Sequence, residues 1–268
     1  MVARVLLFAI SLGTAPQSLA QVDPAWQDPI DVDRPDMANS AEALGPGNFQ
    51  WESGINWVSG PAAPAFSLPL ALRFGIVENL ELQLNTQGPL WTDPGGPTES
   101  WSSLQNLGAG TKVTIYRREG KPLEAVGFLG NVSFQDRGSG PSLAQWDLVM
   151  AFNFNLPWDM DLGVNLGLVQ DLTQGNQKSS TYAASLGFPL GGHWSGYVEG
   201  SGILPEVSDS TLGLDGGLKW LLTPDVQVDG AIGRFWTGTE NQTTVTFGFS
   251  FRVGPKPEKA EAGETPRD

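Results

Sequence analysis

Seven acids and four bases fall at alternate positions in segments whose other face is apolar: Glu52, Glu81, Asp147, Asp161, Glu199, Asp215 and Asp229 against Arg73, Lys112, Lys219 and Arg252. Gathered in one confined interior, such groups either pair into a structural network or set the selectivity of a passage. A second knot of charge, Asp33-Arg34-Pro35-Asp36, stands ahead of the first alternating segment. Asp31, Asp33 and Asp36 lack the glycine and distal glutamate of a calcium loop and have Arg34 in their midst, so no metal site is expected. His193 and Ser195, two apart, have the types of a base and a nucleophile. The Gly191-Gly192 turn places this only histidine at the rim away from the outer leaflet, where lipid hydrolysis would occur. No catalytic residues, enzyme activity or cofactor are therefore expected.

The elements that must position these charges are strands. Twelve segments, at 48–58, 66–76, 79–87, 106–117, 123–134, 145–156, 160–170, 178–190, 193–204, 210–222, 225–236 and 242–253, alternate with period two or carry enough of that pattern to be read as strands. In the sixth, Trp146, Leu148, Met150, Phe152 and Phe154 share one face and Gln145, Asp147, Asn153 and Asn155 the other. Connections after even-numbered segments are short, as at 77–78 and 191–192, while those after odd-numbered ones, such as 86–105 and 135–144, are generally longer. Sorting by parity is the plan of an outer-membrane barrel with tight periplasmic turns. Trp51, Trp194, Trp220 and Trp158 fall toward one end of the segments, and Trp57, Trp146 and Trp236 toward the other, as two interfacial girdles would. The expected fold is all-β, a 12-stranded antiparallel transmembrane barrel over residues 48–253.

Composition narrows the setting. Residues 1–20 have a basic start, an apolar core and a small-residue exit, the pattern of a signal peptide; its removal would take Arg4 and move the net charge from −14 to −15. An acidic chain with 15 basic residues is no partner for nucleic acid. With no cysteine, an exported chain must hold together without disulfides. Residues 254–268 are charged and contain proline, and are expected to form a disordered periplasmic tail. Outer-membrane lipids, the barrel-assembly machinery and a small-molecule solute are the expected partners. Twelve strands lie between eight, which side chains fill, and sixteen, which leave an aqueous channel, so a narrow passage is geometrically open. A closed lumen in a structural or adhesion barrel is the alternative.

The run DRPD at 33–36, then Gly45-Pro46-Gly47 and FQWESG at 49–54, resembles the start of the outer-membrane transporter family named for the MetA pathway of phenol degradation. Met37-Ala38-Asn39 stands where that pattern has an aromatic, a threonine and an acid. The resemblance implies an outer-membrane channel or transporter for small solutes, aromatic or hydrophobic ones included, acting by passive or facilitated diffusion. Because the first strand must start from the periplasm, residues 21–47 are expected at or inside the periplasmic mouth as a plug. Pro35 would stiffen it, and Arg34 would pair with lumen acids such as Glu52 or Glu81.

Overall fold

A computed structural model describes residues 29–34, 37–60, 64–92, 100–136, 141–173 and 175–255, with backbone alone at 100–105, 136 and 141. The expected leader, most of the expected tail, and Pro35 and Asp36 lie outside the described residues. The strands are β1 (Phe49–Ser59), β2 (Ala65–Ser67), β3 (Leu70–Val77), β4 (Leu80–Thr86), β5 (Gly88–Thr92), β6 (Ser100–Gln105), β7 (Leu107–Arg117) and β8 (Leu123–Asp136). They continue with β9 (Pro141–Leu156), β10 (Met160–Asp171), β11 (Gln177–Gly191), β12 (Trp194–Pro205), β13 (Thr211–Thr223), β14 (Val226–Thr237) and β15 (Glu240–Val253).

Every neighbouring pair is antiparallel, and β15 returns to β1 in register from Phe49↔Val253 to Ser59↔Thr243, which closes the sheet. Closure between β15 and β1 leaves neither of those strands as an edge, the condition a sheet must meet where lipid offers no hydrogen bonds. The fifteen strands make twelve staves. β2 and β3 both pair with β1, β5 and β4 pair with β2 and β3, and β6 and β7 pair with β5 and β4, so each couple is one interrupted stave. The interruptions fall at Leu68-Pro69, Gln87 and Asn106, side by side in the wall. Pro69 has no N–H for the ladder, and Asn106 and Gly88 sit at φ of 50° and 71°.

Much of the expected long connections at 86–105 and 135–144 is strand. Gly88-Pro89 and Pro141-Ser142 read as turns because of their residue types, yet the backbone resumes pairing with the neighbouring stave. The last connection on that side, at 238–239, is as tight as the opposite turns.

The two faces are inverted relative to a soluble protein. Leu84, Leu148, Leu166, Leu168, Val198, Leu214, Ile232 and Phe247 stand exposed on the outside, while Gln50, Glu52, Arg73, Glu81, Lys112 and Glu199 are buried. Stacked pairs Trp194–Trp220, with ring centroids 5.0 Å apart, and Trp51–Phe251, at 6.2 Å, sit toward the tight-turn end. Mid-strand Leu166 is 55% exposed on this outer belt. Leu166→Arg is expected to cost about 2–4 kcal/mol, read as a lowered urea midpoint for folding into lipid vesicles.

Candidate functional site

A chain entering the barrel brings its own backbone donors and acceptors, which need partners once water is restricted. Residues 29–34 and 37–47 form such a strap, and the inner wall supplies most of the partners. Ile30 N–H donates to the carbonyl of Pro224 at the tight turn between β13 and β14, at 2.7 Å. Farther along, Ala38 N–H donates to Glu199 Oε2 on β12 at 2.8 Å, and Asn39 N–H to Asn165 Oδ1 on β10 at 2.7 Å. Ala41 N–H donates to Asn153 Oδ1 on β9 at 3.1 Å, Ala43 N–H to Thr114 Oγ1 on β7 at 2.8 Å, and Leu44 N–H to Glu81 Oε2 on β4 at 2.7 Å. Gly47 N–H then meets the Gly75 carbonyl on β3 at 2.9 Å, and the chain turns into β1. The strap thus passes around the inside of the wall from stave to stave before becoming a stave itself. β8 contributes Gly127, where a Cβ would collide with the Ala41 carbonyl, so this crossing needs the bare backbone. Ala41, Ala125, Leu129 and Ala151 form a small apolar core beneath it.

The charges expected in the lumen divide into several groups. Arg73 is the centre of one: its guanidinium bonds Glu81 through Nε at 2.6 Å and Nη2 at 2.9 Å, and Glu52 through Nη1 at 2.9 Å. Arg73 is 1% exposed and Glu81 fully buried, so these are desolvated pairs. The strap completes the cluster, because Asp33 faces Arg73 at 3.3 Å and receives Lys112 Nζ at 2.7 and 2.8 Å. Burial acts to raise the Asp33 carboxyl, but Arg73 and Lys112 outweigh it and hold it below its ordinary 3.8. Glu42 goes the other way: burial raises it, only partly offset by Arg117, which pairs with it at 2.5 Å.

Arg34 pairs with Asp229 at 3.4 Å and donates to Thr246 Oγ1 at 3.0 Å. It is not the partner of Glu52 or Glu81, because Arg73, already on the wall, takes both. The Arg34 guanidinium lies in the space that side chains at Gly54 and Gly248 would occupy, so two neighbouring staves are kept bare for it.

The remaining candidates lie apart. Asp147 accepts from Asn131, Lys219 stands 5.2 Å from the Tyr197 ring, and Arg252 pairs with Asp225 in the tight turn between β13 and β14 at 2.8 Å. Asp161 lies over Gly187, and Asp215 is opposite Glu199 in the β12–β13 register. His193 is exposed in the turn before β12. Among the described residues no group of three or more metal-ligating side chains occurs. Thr114 and Thr246, buried acceptors for the strap and for Arg34, escaped the charge pattern because a threonine on an inner face looks like any other strand residue. Their inward position in the alternation was the available signal.

A closed wall with an apolar belt outside and a polar interior defines a transmembrane β-barrel of the outer-membrane type. The chain belongs to the family described as "Putative MetA-pathway of phenol degradation", whose model matches residues 32–253. No curated protein matches its sequence. Its fold is similar to that of an outer membrane channel from Pseudomonas putida F1, with 12% identity over 80% of this chain and 98% of that one, TM-score 0.56. It is also similar to the NanC porin, with 10% identity over 76% and 100% of the two chains, TM-score 0.56.

Arg73→Met leaves Glu52 and Glu81 buried without their counter-ion and is expected to cost about 3–5 kcal/mol, measured by urea unfolding. The Asp33 carboxyl has a lower value folded than unfolded. Its contribution to holding the strap is therefore complete above pH 3.8 and is lost as the pH falls below it. In a Glu42→Gln variant, which removes the raised carboxyl, proteolysis of the strap should be constant from about pH 8 to 5 and speed up only below about pH 4, by that linkage.

Proposed function

We propose that this chain is a non-enzymatic channel through which small solutes cross the outer membrane by passive or facilitated diffusion, with residues 21–47 acting as its plug. The observation that carries this reading is the strap itself: the backbone amides of Ala38, Asn39, Ala41, Ala43 and Leu44 are held by side chains of the inner wall, beside a cavity of about 380 Å³ lined by both strap and wall. A barrel with no traffic would be expected to fill its interior from the wall alone, as eight-stranded ones do. Here the filling is a separate segment joined by hydrogen bonds and ion pairs, which can rearrange without breaking the wall. Lumen residues Glu52, Glu81, Lys112, Asp229 and Glu199 act in this reading first as the seat of the plug and, once it shifts, as the lining of the path.

The family's name makes phenols one class of solute to try, while the polar interior suits solutes with several hydroxyl groups better than aromatic rings.

Planar-bilayer recording tests the proposal. The intact chain should give small unitary currents, and deletion of residues 21–39 should raise conductance several-fold while heat-modifiable gel migration still reports a folded barrel. Equal conductance with and without the segment would defeat the plug. No conductance from either form would favour a structural barrel with a closed lumen.

A further inference from the structure

The cavity beside the strap has a lining of unusual chemistry. Of the side chains around its approximately 380 Å³, Asn39, Gln83, Asn85, Asn106, Asn131 and Gln145 are all carboxamides. They come from the strap and from successive staves: Gln83 and Asn85 from β4, Asn106 from the interruption before β7, Asn131 from β8 and Gln145 from β9. Part of this belt is fixed by mutual bonds. Asn85 Nδ2 donates to Asn131 Oδ1 at 3.0 Å across Gly108, and Asn131 Nδ2 donates to Asp147 Oδ1 at 3.2 Å. Gln83 is held by Glu81 at 2.7 Å. A carboxamide has two N–H donors and two acceptor lone pairs, so these bonds set the orientation while using only part of the capacity.

The charged groups at the same cavity are engaged with each other. Arg73 bonds Glu52 and Asp33, and Arg34 bonds Asp229 and Thr246. An entering ion would lose hydration and find these counter-charges already used, a costly exchange. An apolar ring would gain little, since Pro69, Leu70 and Ala71 are the apolar side chains of the lining and its presence would cover amides without replacing their hydrogen bonds. Alternating donors and acceptors on fixed amides match hydroxyl groups, each of which both donates and accepts.

We infer that the amide-lined cavity is a binding site for an uncharged polyhydroxylated solute of polyol or monosaccharide size. The inference rests on the channel reading above and deepens it by naming the class of solute.

Saturation-transfer NMR on the intact chain in detergent micelles, with xylitol, xylonate and benzyl alcohol as probes, tests it without requiring conduction. Xylitol should show saturable binding, with xylonate and benzyl alcohol at least tenfold weaker. Asn85→Leu should weaken xylitol about tenfold, whereas Asn85→Ser, which keeps a donor and an acceptor, should retain most of the binding; gel migration confirms folding in each. Absence of saturable xylitol binding, tighter binding of xylonate or benzyl alcohol, or an unchanged affinity in Asn85→Leu would overturn the assignment. Bilayer conductance read on the same preparations separates the two ideas: current without xylitol binding removes only the solute class, and binding without current from intact or segment-deleted protein removes the channel.

Discussion

Everything inside this barrel depends on how buried Arg73 is satisfied. A guanidinium that is 1% exposed must be matched by carboxylates, and Glu52, Glu81 and Asp33 supply them from β1, β4 and the strap. The two wall acids do more than balance Arg73. Glu81 also receives Leu44 N–H and Glu52 receives Asp33 N–H, so the groups that neutralise the wall are the ones that hold the strap. Loss of the cation would leave its acids buried and at the same time loosen the seat of the segment above them.

The strap shows how backbone chemistry organises a lumen. An extended segment cannot satisfy its N–H groups from its own backbone; Asp33 and Ser40 of the strap accept from Ser40 and Glu42, and the wall answers for the others with acceptors on β12, β10, β9, β7 and β4 in turn. This requirement explains why the inner face is built of Asn, Thr and Glu side chains as well as charged pairs. It also explains bare positions in the wall. Gly127 lets the Ala41 carbonyl approach, and Gly54 with Gly248 leaves room for Arg34. The amide-lined cavity is what remains on the side the strap does not fill.

Much of the fold was legible because a transmembrane barrel writes its two faces into the sequence. Trp146 to Phe154 on one face and Asp147 to Asn155 on the other could only serve a strand with lipid on one side and polar surroundings on the other. The pattern failed where turn formers stood inside strands. Gly88-Pro89 and Pro141-Ser142 read as loop, yet pairing with a neighbour, a property of the sheet, kept these residues in strands. The three interrupted staves were equally hidden, since each break is visible only against the stave beside it.

For the site, alternation told which charges face inward, and little about which of them meet. Parity along a strand is a local property, and it is enough to turn Glu52, Arg73, Glu81 and Lys112 to the same face. That Arg73 claims Glu52 and Glu81 while Arg34 goes to Asp229 depends on stagger between staves and on the course of the strap, which no local pattern contains. The same holds for Glu199 and Ala38, 161 positions apart and joined by a 2.8 Å bond. A period of two fixes a face, but the path of a chain through a lumen is set by which acceptors the closed wall brings within reach.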